Sequence, residues 1–157
     1  MTQEQTIIDS PVGPLRLESD GEALTRIAFV EGGTKDSGRE PPRVGVLAEA
    51  ARQLRAYFAK ERRDFDLPLR PAGTELQRAT WRALATIPYG QTISYAELAR
   101  RINRPRAVRA VGAANGRNPL PIVLPCHRVI GSDGTLTGYG GGLPLKRWLL
   151  DLEQAAS

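Results

Sequence analysis

Residues 94–115 decide the fold: Ser94-Tyr95-Ala96-Glu97-Leu98-Ala99-Arg100-Arg101-Ile102, then Asn103-Arg104, then Pro105-Arg106-Ala107-Val108-Arg109-Ala110-Val111-Gly112-Ala113-Ala114-Asn115. Ser94 followed three residues later by Glu97 has the spacing of a capping box and opens a helix running to about Ile102. Pro105, with φ already near the helical value, starts a second helix over 105–115. Two short helices joined by Asn103-Arg104 have the signature of a helix-turn-helix. Upstream, Thr74-Glu75-Leu76-Gln77 is another capping box, on a helix that ends before Pro88-Tyr89-Gly90. Downstream, Pro119, Pro121 and Pro125 forbid a helix, so residues 118–124 read as an extended buried segment leading to Cys126. A glycine-rich loop, Gly138-Tyr139-Gly140-Gly141-Gly142, precedes a last helix from about Leu143 to Glu153.

The first half reads differently. Residues 6–9, 14–20 and 24–30 alternate apolar and polar positions between turns at Pro11, Gly13, Asp20 and Gly21, which predicts three short strands. Residues 31–43 form an exposed loop without periodicity. Val44, Leu47, Ala51, Leu54 and Phe58 recur at helical spacing over 44–60. Pro68 and Pro71 mark a linker. The expectation is an α/β lobe over residues 1–70 and a mainly helical lobe over 71–157.

Composition narrows the function. A chain of 157 residues, 41% hydrophobic and 25% charged, is that of a soluble globular protein. Its polar N-terminus lacks a signal-peptide pattern, and no apolar run reaches bilayer length, so no membrane partner is expected. With one cysteine and one histidine there is neither an internal disulfide nor a Cys/His structural zinc site. No metal or cofactor is expected, and a reducing, cytoplasmic compartment suits the lone thiol. The net charge is +5, yet the stretch between Glu97 and Asp133 holds Arg100, Arg101, Arg104, Arg106, Arg109, Arg117 and Arg128 with no acidic residue. Such a field is either a solvated face or a surface for a polyanion, most commonly nucleic acid.

That basic stretch contains Pro125-Cys126-His127-Arg128-Val129, where the only cysteine and the only histidine adjoin. A thiol attacks as thiolate, and imidazole is the side chain suited to manage its proton near neutral pH. Neighbouring side chains point apart, so a water bridge links the two more readily than a direct bond. The imidazole needs a third group to orient it. In the last helix Leu145, Leu149 and Leu152 form the expected buried stripe, and Glu153 stands four residues after Leu149. Two readings of Glu153 stay open: a buried carboxylate paired with His127, or a solvated helix end.

These residues carry a resemblance. Pro125-Cys126-His127-Arg128-Val129 behind Asn118-Pro119, together with Arg109-Ala110-Val111-Gly112, Ser94-Tyr95, Tyr139-Gly140-Gly141-Gly142-Leu143 and Trp148-Leu149-Leu150 with Glu153, resembles the O6-alkylguanine-DNA alkyltransferases in order and spacing. The close match covers about residues 74–153. The resemblance implies a ribonuclease H-like first lobe and a winged-helix-like second lobe. It implies double-stranded DNA containing O6-alkylguanine as partner, with O4-methylthymine a minor substrate. It also implies a methylated-DNA–protein-cysteine S-methyltransferase that flips the base and moves its alkyl group irreversibly onto Cys126, once per molecule.

By the same resemblance, His127 would be the water-linked base, Glu153 its orienting group and Asn118 the brace of the active-site turn. Arg109 would be the finger that fills the gap left by the flipped base, with Arg106, Ser94, Ala107 and Val108 against the DNA around it. Tyr95 would rotate the phosphate and donate to the guanine ring. The carbonyls of Cys126 and Val129 would read the exocyclic amine, and Tyr139 and the Gly140 amide would line the alkyl pocket. The helix 105–115 is rich in small residues, which argues against sequence-specific major-groove reading and suits the family's minor-groove docking. Thr137 is bulkier than the glycine of some relatives, which predicts poor acceptance of benzyl adducts. A monomer in solution is expected, with cooperative binding on DNA left open. The alternatives are a helix-turn-helix regulator or alkylation-damage sensor whose cysteine is structural, and, more remotely, a Cys-His hydrolase.

Overall fold

The computed structural model describes residues 3–30, 42–139 and 142–155, and the chain divides into two compact units, Met1–Ala72 and Gly73–Ser157.

In the first unit β1 (Glu4–Ile8), β2 (Leu15–Ser19) and β3 (Leu24–Phe29) form an antiparallel sheet in the order β1-β2-β3. Thr6 faces Leu17 across the first pair, and Leu17 faces Ile27 across the second. The alternation predicts one buried face, and Leu15 and Leu17 are indeed fully buried while Arg16 between them is not. Each such leucine contributes about 1.5–3 kcal/mol. Helix α1 (Val46–Phe58) covers that face with Leu47, Ala50, Ala51, Leu54 and Tyr57. Asp20 closes the β2–β3 turn by accepting from the amides of Glu22 and Ala23, both at 2.9 Å, and pairs with Arg70.

The second unit contains α2 (Glu75–Leu84), β4 (Ile93–Ser94), α3 (Tyr95–Arg101), α4 (Val108–Gly116), a 3-10 turn (Cys126–Arg128), β5 (Val129–Ile130) and α5 (Leu143–Ala155). The capping box at Thr74 is complete: its hydroxyl accepts from the Gln77 amide at 3.1 Å, and the Gln77 side chain accepts from the Thr74 amide at 2.9 Å. Gly73 is required just before it, because a Cβ there would lie 2.6 Å from the Trp81 ring. Trp81 is buried and donates its indole N–H to the Ala114 carbonyl at 2.8 Å, tying α2 to α4. At Ser94 only half of the expected box forms. Its hydroxyl accepts from the Glu97 amide at 3.1 Å, but the Glu97 carboxylate pairs with Arg100 and Arg101 instead.

Two expectations need correction. The second helix of the motif begins at Val108, not Pro105, because Pro105 and Arg106 complete a turn and Ala107 is the cap. Residues 118–124 are not extended. They fold into turns, with the Leu124 amide bonded to the Leu120 carbonyl at 2.9 Å and Ile122 at φ 76°. Prolines exclude a helix but do not impose extension, and a β-branched residue at positive φ is a strained choice that no pattern announces.

Candidate active site

Two features deliver Cys126. The turns of residues 118–124 are braced by Asn118, whose side chain donates to the Leu124 carbonyl at 2.7 Å and accepts from the Leu120 amide at 2.9 Å. Beyond the 3-10 turn, β5 pairs in parallel with β4, Ile93 opposite Val129 and Ser94 opposite Ile130. This two-residue ladder fastens the cysteine turn to the first residues of the helix-turn-helix. Every residue from Leu120 to Val129 is buried.

Within this turn His127 is fully buried, and its Nε2 lies 2.7 Å from Glu153 Oε2. Glu153 is 1% exposed, which settles its two readings in favour of the buried partner. It is held further by Arg128, whose Nε donates to Oε1 and Nη2 to Oε2, both at 2.9 Å, while Nη1 donates to the Ile87 carbonyl at 2.7 Å. Burial would raise the Glu153 carboxyl, but the hydrogen bonds from His127 and Arg128 outweigh it and hold the group at about 2. Burial also keeps His127 neutral, pulling it below 6.5 despite the upward pull of Glu153. A neutral ring that donates from Nε2 to a carboxylate carries its lone pair on Nδ1. That Nδ1 is buried and has no partner among the described residues.

Cys126 is 5% exposed, and burial pushes its thiol up to about 11 against the lowering influence of the Asn118 side chain and the Lys146 charge. At rest the site therefore holds a thiol, a neutral imidazole with one open acceptor, and an ionised carboxylate. An imidazole in this state can accept a proton at Nδ1, and the imidazolium so formed would be stabilised by Glu153.

Lys146 is a residue that sequence reasoning missed. It is fully buried, and its ammonium donates to the Val129 carbonyl at 2.7 Å and the Thr137 carbonyl at 2.8 Å, with the Tyr95 ring 5.9 Å away. Burial pulls it down to about 8, while the neighbouring thiolate form of Cys126 favours its charge. The buried face of α5 is Lys146, Leu149, Leu150 and Glu153, not the predicted Leu145, Leu149 and Leu152 stripe, of which only Leu149 is fully buried. The spacing of seven between Lys146 and Glu153 was the available signal. Arg128 belongs to the basic run of the sequence but is buried, so it adds nothing to an exposed field. Asn115, buried in α4, donates to the Cys126 carbonyl at 3.4 Å, a contact that no sequence pattern announces.

The remaining predicted residues divide. Tyr95 and Thr137 are brought together: the Tyr95 hydroxyl donates to the Thr137 carbonyl and accepts from the Thr137 hydroxyl, each at 3.1 Å. Val129 is buried beside the cysteine turn, and half-buried Tyr139 lies close enough to Cys126 and Glu153 for their charges, after burial, to push its phenol up. Gly140 lies outside the described residues. Arg106 and Arg109 are exposed; Ser94, Ala107 and Val108 are half-buried on the same motif. The basic field is smaller than counted. Arg100 and Arg101 are paired with Glu97, which leaves Arg104, Arg106, Arg109 and Arg117 exposed without an acidic partner among the described residues.

Fold and site together define a class: a helix-turn-helix domain that buries a cysteine next in sequence to a histidine hydrogen-bonded to a glutamate. Known proteins make the class specific. Residues 75–155 match the family model of the 6-O-methylguanine DNA methyltransferase DNA-binding domain, and residues 5–71 match the ribonuclease-like domain of the same family. A methylated-DNA–protein-cysteine methyltransferase of Methanosarcina acetivorans is 50% identical over 151 residues, covering 94% of this chain and 96% of that protein. One from Mycobacterium bovis is 51% identical over 149 residues, covering 94% and 90%. The solved structure of Mycobacterium tuberculosis OGT in complex with DNA superimposes with a TM-score of 0.86 at 50% identity, covering 98% of this chain and 94% of that one. This chain belongs to the 6-O-methylguanine DNA methyltransferase family.

Proposed function

We propose that this chain is a single-turnover methylated-DNA–protein-cysteine methyltransferase that repairs O6-methylguanine in double-stranded DNA. One observation carries the reading: among the described residues, the buried His127–Glu153 pair leaves a single open acceptor, Nδ1, on the residue next in sequence to the only cysteine of the chain. The family relationship and the likeness to a DNA-bound relative support it.

The chemistry follows from the residues. The target atom is stacked within the duplex, so the base must be extruded at a cost of a few kcal/mol. Arg109, exposed on α4, is the finger that fills the gap, and Arg106, Ser94, Ala107 and Val108 meet the backbone around it. The exposed arginines attract the phosphates, and α4 docks in the minor groove. In the pocket the Cys126 proton passes through a bridging water to His127 Nδ1, and Glu153 stabilises the imidazolium. The thiolate attacks the methyl carbon; the S–C bond forms as the C–O bond breaks, and guanine leaves as its anion and takes up a proton. Tyr95 donates to the leaving ring once its hydroxyl turns from Thr137. The carbonyls of Cys126 and Val129 read the exocyclic amine, Asn118 braces the turn, and Tyr139 and the Gly140 amide line the alkyl pocket. The thioether product is stable, so each molecule acts once. We assign O4-methylthymine as a minor substrate, a monomeric state in solution, and a reducing, cytoplasmic compartment that keeps Cys126 a thiol. Among the described residues no helix is long and apolar enough to cross a membrane.

The test is a duplex bearing labelled O6-methylguanine. Label found on the Cys126 peptide and abolished by Cys126→Ala is the expected result. Tight binding without transfer would return the damage-sensor reading.

A further inference from the structure

If the methyltransferase reading holds, Asn115 has a part in it. Asn115 is 3% exposed and sits near the C-terminal end of α4, the helix that carries Arg109. Its Nδ2 donates to the Cys126 carbonyl at 3.4 Å. That contact fixes the amide orientation, because the flipped amide would oppose two acceptor oxygens. The other atom of the amide, Oδ1, is then a buried acceptor, and it has no partner among the described residues. Buried polar atoms are nearly always satisfied, and leaving one bare is destabilising. This one lies beside the carbonyl of the nucleophile's own residue.

The chemistry of the substrate supplies what is missing. The exocyclic amine of guanine presents two N–H donors and needs two acceptors. Of the two carbonyls assigned to it, that of Val129 already accepts from the buried Lys146 ammonium at 2.7 Å. That of Cys126 accepts from the Val129 amide, and its second lone pair faces only the long contact with Asn115. A weak bond there is one that an incoming amine can displace.

We propose that Asn115 determines base specificity: Nδ2 holds the Cys126 carbonyl until the base arrives, and Oδ1 then accepts, together with that carbonyl, from the N–H of the exocyclic amine that the Val129 carbonyl does not take. A residue on the DNA-facing helix thereby reads the flipped base directly.

The test compares methyl-transfer rates of the full-length protein on two duplexes. One carries O6-methylguanine and the other 6-methoxypurine, the same base without its amine. The ratio of the two rates within one variant is independent of the fraction folded. The wild type is expected to prefer O6-methylguanine. In Asn115→Leu the preference should shrink by about 3- to 10-fold, the worth of one net hydrogen bond. Asn115→Asp, which keeps an acceptor oxygen, should retain the preference even if both rates fall. Equal losses on both duplexes in Asn115→Leu, or a preference lost equally in Asn115→Asp, would overturn the role of Asn115 and leave the methyltransferase reading intact. A wild type without preference would do the same. A wild type that moves no methyl from either duplex would overturn both.

Discussion

Glu153→Gln is the substitution that bears hardest on the site. It keeps the shape of the side chain and removes its charge. In the wild type the carboxylate accepts from His127 at 2.7 Å and twice from Arg128 at 2.9 Å, all buried. A glutamine amide must turn its NH2 towards one of these donors, and Arg128 is left as a buried cation with a neutral partner. Breaking a buried pair typically costs about 3–5 kcal/mol, and the retained oxygen places this case near about 3 kcal/mol. That is a large part of a typical total of about 5–15 kcal/mol. The pH dependence makes the test sharper. The Glu153 carboxyl is depressed from 4.5 to about 2, so its stabilisation is present above the unfolded value and is lost as pH falls towards the folded one. The whole shift corresponds to about 3 kcal/mol, of which about 2 kcal/mol is gone by pH 3. Urea unfolding at pH 7 and pH 3 measures both quantities. The variant should be less stable by about 3 kcal/mol at pH 7 and show a flatter decline to pH 3 than the wild type. A variant within about 1 kcal/mol of wild type at pH 7, or one with an unchanged acid decline, would refute the reasoning.

Three further outcomes are expected. At saturating DNA, the single-turnover transfer rate should be flat from pH 6.5 to about 8, because the proton moves from Cys126 to His127 without leaving the protein. It should fall at lower pH as His127 protonates, and above about 8 as Lys146 loses its charge; a rate that climbs about tenfold per unit across the plateau would mean the thiol ionises to solvent instead. Arg109→Ala should slow repair of a duplex more than reaction with the free alkylated base; equal losses would remove its role as a finger. The wild type should transfer benzyl far more slowly than methyl because Thr137 closes on Tyr95, and Thr137→Gly should raise the benzyl rate relative to methyl by at least about tenfold. Equal wild-type rates would discard Thr137 as the limit on adduct size.

Much of this was legible in the residues themselves. The three strands, α1, the complete cap at Thr74 and the helix-turn-helix follow from period and capping chemistry. The Cys126–His127 pair stands out because each residue occurs once. What was illegible was satisfied burial. Hydrophobic periodicity treats charge as surface, so Lys146 and Arg128 were passed over, although carbonyls and Glu153 make them permissible in the interior. Glu153 was found beside a stripe that itself lies one position away from the real one. The β4–β5 ladder is two residues long and leaves no periodic trace, yet it sets the cysteine turn against the helix pair. Ile122 at φ 76° belongs to the same kind: tertiary context overrides a local preference, and only the folded chain displays it.

The most direct measurement is the stoichiometry of transfer. Full-length protein is mixed with excess duplex containing O6-methylguanine, and methyl gained per chain is followed by mass with the modified peptide identified. Direct reversal by Cys126 predicts one methyl per chain, on the Cys126 peptide, with no further repair. Continued repair by chains whose Cys126 remains unmodified, or binding with no gain in mass, would contradict it.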